Sequence, residues 1–127
     1  MNVKVLSPRF ANYLLSKAYE NGDRFHFYLS GPMTGLPDYN RPAFDDAAKA
    51  LREQGYAVFS PSEVGPRDQV MSRSWYMRKD IQALLQSDAV MMLPDWEQSE
   101  GAKLEFEIAK QLELPIKFIT INPKGEV

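Results

Sequence analysis

The chain has 127 residues, of which 44% are apolar and 25% are charged, a composition typical of one folded domain and not of a disordered chain. Its formal net charge of −2 offers no basic surface for polymeric nucleic acid, so we expect no binding of DNA or RNA. Cysteine is absent and His26 is the only histidine, which excludes disulfides and thiol catalysis and argues against a metal site. We therefore expect no cofactor, and a chemistry carried out by carboxylates, hydroxyls and backbone groups.

The first residues contain no long apolar stretch, so the sequence predicts no signal peptide, no membrane span and a cytoplasmic location. Residues 1–22 are interpreted as an attachment containing a helix from Pro8 to about Tyr19, because its apolar residues have helical spacing. We expect this helix to pack on the outside of the domain or into a partner subunit. Residues 23–127 form the domain itself.

Within that domain, short apolar runs alternate with segments of helical periodicity. The predicted strands are 25–29, 56–59, 89–93 and 115–121, and the predicted helices are 42–54, 72–87 and one that carries Glu105. Such alternation predicts an α/β fold with helices on both faces of a parallel sheet. We expect a flavodoxin-like three-layer sandwich of four or five strands with an extra N-terminal helix, and ligands at the carboxyl ends of the strands. His26 lies inside the first strand, where we expect a buried or edge histidine with a hydrogen-bond partner.

The most informative stretch is the apolar run 89–93 together with the helix that follows it. Ser99 is suited to cap this helix, since its hydroxyl can accept a backbone N–H bond. At about 100° per residue, Glu105 falls in the middle of the apolar stripe, whereas Glu107 falls on the solvent side. The predicted stripe consists of Gly101, Ala102, Leu104, Ile108, Ala109 and Leu112. Two interpretations remain open: a catalytic carboxylate in a βα crevice, or a structural glutamate paired with an arginine or a tyrosine hydroxyl.

Other candidate residues follow the first strand or lie on later elements. The loop after the first strand contains Ser30, Gly31, Pro32, Met33, Thr34 and Gly35. It is either an anion-binding βα loop or a plain turn, and it lacks the lysine of a P-loop and the spacing of a dinucleotide-binding loop. We expect Asp80 to be a surface carboxylate, unless its helix crosses the crevice and turns the side chain inward. Tyr39 and Trp96 could stack on a base or could simply pack in the protein.

These residues occur in a pattern that resembles the nucleoside 2-deoxyribosyltransferase superfamily over roughly residues 25 to 120. The pattern comprises Tyr28-Leu29-Ser30-Gly31-Pro32, Asp80 ahead of Ser87-Asp88-Ala89-Val90, Ser99-x-Gly101-Ala102-x-x-Glu105-x-x-x-Ala109, and Leu114-Pro115-Ile116. The fuller wording, with Met33-Thr34-Gly35, Asn40, Phe44, Trp75, Pro94 and Trp96, resembles a small branch common in bacteriophages and prophages.

The resemblance implies a role for each matching residue. Glu105 would be the nucleophile that attacks the anomeric carbon, Asp80 would lie near the departing base, and Tyr28 would lie beside the glutamate. Ser99 stands where the transferases commonly have aspartate, and here the sequence is similar to the branch that hydrolyses nucleoside 5′-monophosphates. Glu107 also replaces a common glycine. The expected substrate-binding residues are Ser30, Gly31, Pro32, Met33, Thr34, Gly35, Asp95, Trp96, Ser99 and Gly101.

The sequence therefore favours an N-glycosidase or deoxyribosyltransferase acting on a nucleoside 5′-monophosphate or a nucleoside, without a cofactor, in a homodimer or larger homo-oligomer. The alternative is a nucleotide-binding protein of the same fold that sequesters its ligand without catalysis. A third possibility, the phosphoribohydrolase family, ranks last because the chain lacks the paired glycines of the P-G-G-x-G-T-x-x-E loop.

Overall fold

The computed structural model describes residues 7–15, 24–66 and 68–119, and within them the chain forms an α/β domain. Four parallel strands lie in the order β2-β1-β3-β4. The elements in chain order are α1 Pro8–Leu15, β1 Phe25–Ser30, α2 Arg41–Glu53, β2 Val58–Phe59, α3 Arg73–Leu85, β3 Ser87–Met92, α4 Glu100–Gln111 and β4 Ile116–Phe118. Three short 3-10 turns, Pro37–Asn40, Pro61–Glu63 and Trp96–Gln98, lie in the connections. No helix in the described part of the chain is long and apolar enough to span a membrane.

The sheet is covered on both faces, which confirms the predicted flavodoxin-like three-layer sandwich. Alternate residues of β1 point to opposite faces, so Phe27 and Leu29 join the core under α1 and α2, while Tyr28 joins the core under α3 and α4. Leu14 of α1 is fully buried in the first core, so this helix packs on the outside of the sheet, in contact with the rest of the domain. His26 is buried, and its Nδ1 accepts the Ala57 N–H at 2.8 Å, as expected of a satisfied strand histidine.

Some predicted boundaries and orientations differ in the structure. The strand at 56–59 is reduced to Val58–Phe59, and β3 begins at Ser87, which the sequence assigned to the preceding helix. Residues 16–19 and 120–121, predicted as helix and strand, lie outside the described residues. On α4, Leu104 and Leu112 are 47% and 49% exposed, so their placement in the buried stripe was wrong. The buried face of α4 is narrower than the periodicity implies, with Ala102, Glu105 and Ala109 at its centre.

The strand order creates a crevice at the carboxyl ends of β1 and β3. The chain leaves β1 toward β2 on one side and leaves β3 toward β4 on the other side. The loops that follow β1 and β3 therefore diverge at this point. The strand ends themselves stay in close contact, because the Leu93 N–H donates to the carbonyl of Ser30 at 2.8 Å. A Cβ atom added at Gly31 would lie 2.8 Å from the Cβ of Leu93. The glycine at this position is therefore explained by the close approach of the two strand ends.

We predict that Gly31→Ala destabilises the protein by about 1–3 kcal/mol, because two Cβ atoms fixed to neighbouring backbones cannot rotate apart. Urea unfolding followed by circular dichroism would measure the change. Gly101→Ala is the matched control, since the nearest side-chain atoms to its added Cβ are 3.9 Å away and alanine favours the helix. Equal urea midpoints for Gly31→Ala and the unmodified protein would contradict the packing explanation.

Candidate active site

The carboxylate of Glu105 lies at the centre of the crevice, on the first turns of α4. The residue is only 6% exposed, which confirms the orientation predicted from the helical periodicity. Its two oxygens have separate donors on β1: the Tyr28 hydroxyl donates to Oε2 at 2.6 Å and the Ser30 hydroxyl donates to Oε1 at 2.6 Å. Tyr28 and Ser30 are two residues apart on one strand, so both side chains project from the same face of the sheet.

Two features of the surroundings have opposite effects on the charged form of this carboxylate. Burial raises the pKa of Glu105 above its ordinary value, whereas the hydrogen bonds from Ser30 and Tyr28 lower it. The pKa of Tyr28 is well above its ordinary value because of burial and the negative charge of Glu105, so its phenol remains a hydrogen-bond donor. Its ring is held by stacking on Phe59, with centroids 5.4 Å apart. Tyr28 thus orients the carboxylate from behind and acts as a positioning residue.

Asp80 supplies a second carboxyl group to the same region. Its side chain points inward from α3, and Oδ1 is buried without a hydrogen-bond partner among the described residues. Burial, together with the charge of Glu105, raises the pKa of Asp80 to about 7. Glu105 has a donor on each oxygen and Oδ1 of Asp80 has none, so protonation of Asp80 is favoured over protonation of Glu105. Near pH 7 the crevice therefore combines Glu105, whose carboxylate form has two donors, with Asp80 close to the midpoint of its titration.

A cavity of about 680 Å³ opens in front of these two groups, within the size range of small-molecule sites. Glu105 and Asp80 both line it. The β1 loop contributes one wall, α3 and the segment before it contribute another, and the beginning of α4 contributes a third. The sequence-predicted residues that line it are Gly31, Pro32, Met33, Thr34, Tyr39, Asp80, Ser99, Gly101 and Glu105.

Other predicted site residues lie away from the cavity wall. Ser30 was predicted to bind substrate, but its hydroxyl is bound to Glu105 and the residue is buried behind it. Trp96 stacks on Phe106, with ring centroids 4.6 Å apart, so the packing alternative is the one observed. Asp95 takes a left-handed conformation at the start of the Trp96–Gln98 turn, and Gly35 has φ +83° in the exposed β1 loop. None of these residues is among those lining the cavity.

The beginning of α4 forms the third wall. The Ser99 hydroxyl accepts the Ala102 N–H at 3.1 Å, which confirms the predicted helix cap. The backbone N–H groups of Glu100 and Gly101 precede the first intrahelical hydrogen bonds, and both residues line the cavity. Such a helix start favours negative charge. The pKa of Glu100 lies below its ordinary value, chiefly because of Lys103 and to a smaller degree because of Arg73.

Sequence reasoning missed the two arginines that line the cavity, Arg41 and Arg73. Each is the first residue of a helix that follows a strand-end loop, α2 for Arg41 and α3 for Arg73. That position was a usable signal, since the loops at the carboxyl ends of parallel strands surround the ligand site. In the described part of the chain, no group of three or more histidine, cysteine or acidic residues is arranged to hold a metal ion.

Comparison with known families places the chain by its sequence. Residues 25–118 match the family described as a domain of unknown function, DUF4406, and the chain belongs to that family. The matched region includes the crevice, the cavity and both carboxyl groups. No curated protein matches the chain.

We predict that Asp80 makes the folded protein less stable as the pH rises. Its pKa is about 7 in the folded state and near 3.8 when exposed, so between these values the folded protein holds a proton that the unfolded chain has lost. The free energy of unfolding should therefore fall as the pH is raised from 4 to 8. The upper limit is about 4 kcal/mol, and partial exposure of Asp80 reduces it.

Asp80→Asn should flatten this pH dependence and make the variant more stable than the unmodified protein at pH 8, as measured by urea unfolding at each pH. A smaller slope remains from Glu105, whose pKa is also raised. Asp46→Asn, at an exposed position on α2, is the control and should leave the curve unchanged. An unchanged slope in Asp80→Asn would show that Asp80 is ionised in the folded protein throughout this range.

Proposed function

We propose that the protein is an N-glycosidase or deoxyribosyltransferase that cleaves the base–sugar bond of a (deoxy)nucleoside 5′-monophosphate or nucleoside, with Glu105 as the nucleophile. The observation that carries the proposal is the pairing of two unlike carboxyl groups in one cavity. Two donors favour the carboxylate form of Glu105, and burial together with the charge of Glu105 favours the acid form of Asp80. Glycosidic bond cleavage with a covalent intermediate requires such a pair.

In the first step, a Glu105 oxygen forms a bond to the anomeric carbon C1′ while the C1′–N bond breaks. The electron pair of the broken bond passes to the base, and the proton of Asp80 moves to the base nitrogen as it departs. The carboxylate stabilises the positive charge that develops on the sugar ring. Tyr28 and Ser30 keep the carboxylate oriented toward the sugar without contacting it.

In the second step, Asp80 is ionised and accepts a proton from the incoming nucleophile. Water attacks C1′, the ester bond to Glu105 breaks, and the free sugar leaves with the Glu105 carboxylate restored. If another base attacks instead of water, the same step completes a transfer reaction. The resemblance of Ser99 to the monophosphate-hydrolysing branch favours hydrolysis.

The start of α4 supports a nucleotide over a nucleoside. Ser99 can donate its hydroxyl proton to a phosphate oxygen while its lone pair continues to accept the Ala102 N–H. Arg73, on the α3 wall, adds positive charge near the start of α4, and the acidic Glu100 there is paired with Lys103 at 2.9 Å. A hydrogen bond to a charged phosphate is worth about 1.5–3 kcal/mol, which corresponds to roughly a ten- to hundredfold preference.

The resemblance also supports a homodimer or larger homo-oligomer, with small nucleotides or nucleosides as its ligands. The cytoplasmic location is proposed from the sequence alone. The exposed apolar side chains Leu104, Leu112 and Phe118 would suit contact with a second copy. Sedimentation as a monomer at micromolar concentration would contradict this part of the proposal.

We predict that Glu105→Gln lowers the rate of base release by at least about a thousandfold, because an amide cannot form the glycosyl ester. Folding should be preserved or improved, since a buried charge is removed, one of the two hydroxyls keeps the amide oxygen as its acceptor, and the other can turn to accept an amide N–H. Release would be measured by chromatography over a panel of nucleosides and 5′-monophosphates, with and without a second base. Glu107→Gln, at an exposed position on the opposite face of α4, is the matched control and should be nearly silent.

Two outcomes would contradict the proposal in different ways. Unfolding of Glu105→Gln would show that Glu105 serves as a structural partner of Tyr28. Tight nucleotide binding by the unmodified protein with no base released from any compound would identify a sequestering protein of the same fold.

We further predict that Ser99→Asp reduces or reverses the preference for monophosphates over nucleosides, because an aspartate repels the phosphate. The helix cap is retained, since aspartate caps as well as serine. The ratio of kcat/KM values for a monophosphate and its nucleoside gives the readout, and Ser99→Asn, a neutral cap, should change it by only a few fold. Equal kcat/KM values for both compounds in the unmodified protein would show that Ser99 acts only as a helix cap.

A further inference from the structure

The turn that precedes α2 has an unusual backbone. Asp38, Tyr39 and Asn40 adopt left-handed conformations in succession, with φ values of 51°, 52° and 59°. For residues with a side chain this conformation costs roughly 1–2 kcal/mol each, and only asparagine and aspartate adopt it readily. The turn is held in place by the Asn40 side-chain amide, which donates to the Pro32 carbonyl at 2.9 Å. Strain of this kind persists where the surroundings impose it, and it clusters at ligand sites.

The turn places a paired aromatic ring and guanidinium on the cavity wall. Arg41 lies over the ring of Tyr39, with Cζ 5.2 Å from the centroid, and its Nη1 is 3.0 Å from Oδ1 of Asp38. Tyr39 and Arg41 both line the cavity. An exposed ion pair contributes at most about 1 kcal/mol, so the Asp38–Arg41 pair does not offset the strain of the turn. Its effect is to fix the orientation of the guanidinium.

Tyr39 also differs from the other described aromatic residue of the cavity, Tyr76. The Tyr76 hydroxyl accepts the Met71 N–H at 3.2 Å, and its ring packs edge-on against Trp75 with centroids 5.2 Å apart. Tyr39 is 46% exposed despite its position in a strained turn. Its ring is therefore available to a planar ligand group in the cavity.

We propose that Tyr39 and Arg41 recognise the base of the substrate, with Tyr39 stacking on its face and Arg41 donating two hydrogen bonds to an edge that carries two adjacent acceptors. Among the purines, the 6-oxopurines guanine and hypoxanthine present such an edge through O6 and N7. Cytosine presents one through O2 and N3, but the larger face of a purine stacks more strongly on Tyr39. Adenine presents a donor beside N7 and cannot accept both bonds. This inference rests on the proposed nucleotide substrate and adds its base class.

The assignment to the base follows from the charges around the cavity. Arg73 lies near the start of α4, where Ser99 and two backbone N–H groups already suit a phosphate. Arg41 belongs to the β1-loop wall and lies over the ring of Tyr39, so a base that stacks on that same face of the ring would have its edge beside the guanidinium. A stacked, bidentate arginine cannot be replaced by lysine without loss, whereas an arginine that supplies only charge can.

The test measures binding and does not depend on turnover. Isothermal titration calorimetry would compare 5′-GMP, 5′-IMP and 5′-AMP on the Glu105→Gln protein. We expect GMP and IMP to bind roughly tenfold or more tightly than AMP. Adding Arg41→Lys should reduce this ratio to about twofold or less, and adding Tyr39→Leu should weaken all three by roughly tenfold. Arg78→Lys, at an exposed arginine of α3 that does not line the cavity, is the control and should change nothing.

Several results would overturn the inference, and they separate it from the proposed function. Nucleotides that bind without preference for the oxopurines, or a preference that survives Arg41→Lys, would refute base recognition by Arg41. The proposed function would not be affected by either result. Uniform weakening of all monophosphates by Arg41→Lys, with nucleosides unaffected, would assign Arg41 to the phosphate. If no nucleotide or nucleoside bound at all, the proposed function would fail as well.

Discussion

The carboxylate of Glu105 is buried at the point where β1, β3 and α4 meet. The surrounding structure compensates the electrostatic cost of removing this charge from water. Moving an ionised carboxylate into a protein interior is strongly unfavourable unless hydrogen bonds replace its water. Tyr28 and Ser30 supply one bond to each oxygen, both from the same face of β1. Without these donors, burial would raise the pKa of Glu105 further and disfavour the carboxylate form that a nucleophile requires.

The same buried charge affects the state of its neighbour. Burial, and to a smaller degree the negative charge of Glu105, raises the pKa of Asp80 to about 7, and its buried Oδ1 has no hydrogen-bond partner in the described part of the chain. Two carboxyl groups with the same intrinsic chemistry thus acquire different tendencies to hold a proton from their surroundings. The fold produces this asymmetry by attaching one group to α4, against the donors of β1, and the other to α3. Gly31 permits it, because a side chain there would force apart the strand ends that hold Ser30 in place.

Much of this arrangement could be predicted from the sequence, because it depends on periodicity and on order along the chain. The alternation of strands and helices predicts the parallel sheet, and the helical phase of Glu105 predicts its burial. Helical periodicity alone could not predict which apolar residues of a helix are buried, because this depends on tertiary packing. Leu104 and Leu112 fit an apolar stripe but remain exposed, since α4 contacts the sheet through small residues such as Ala102 and Ala109.

The sequence pattern also could not predict contacts between segments that are distant along the chain. Trp96 fits a stacking role by its position after β3, yet Phe106 lies close enough to take up its ring. The inward direction of Asp80 depends on how α3 crosses the crevice, which no local pattern encodes. Arg41 owes its place on the cavity wall to three successive left-handed residues, and the middle one, Tyr39, is not a residue type that adopts this conformation readily.

The central claim is that the Glu105 carboxylate forms a covalent bond to the sugar. It is tested most directly by mass spectrometry of protein quenched in acid during turnover of a deoxynucleoside 5′-monophosphate. The account predicts a fraction of the chains carrying the added mass of one deoxyribose phosphate, located on Glu105 by peptide fragmentation. An adduct on a different residue, or an inverted methyl glycoside as the product when methanol replaces water as the acceptor, would contradict it.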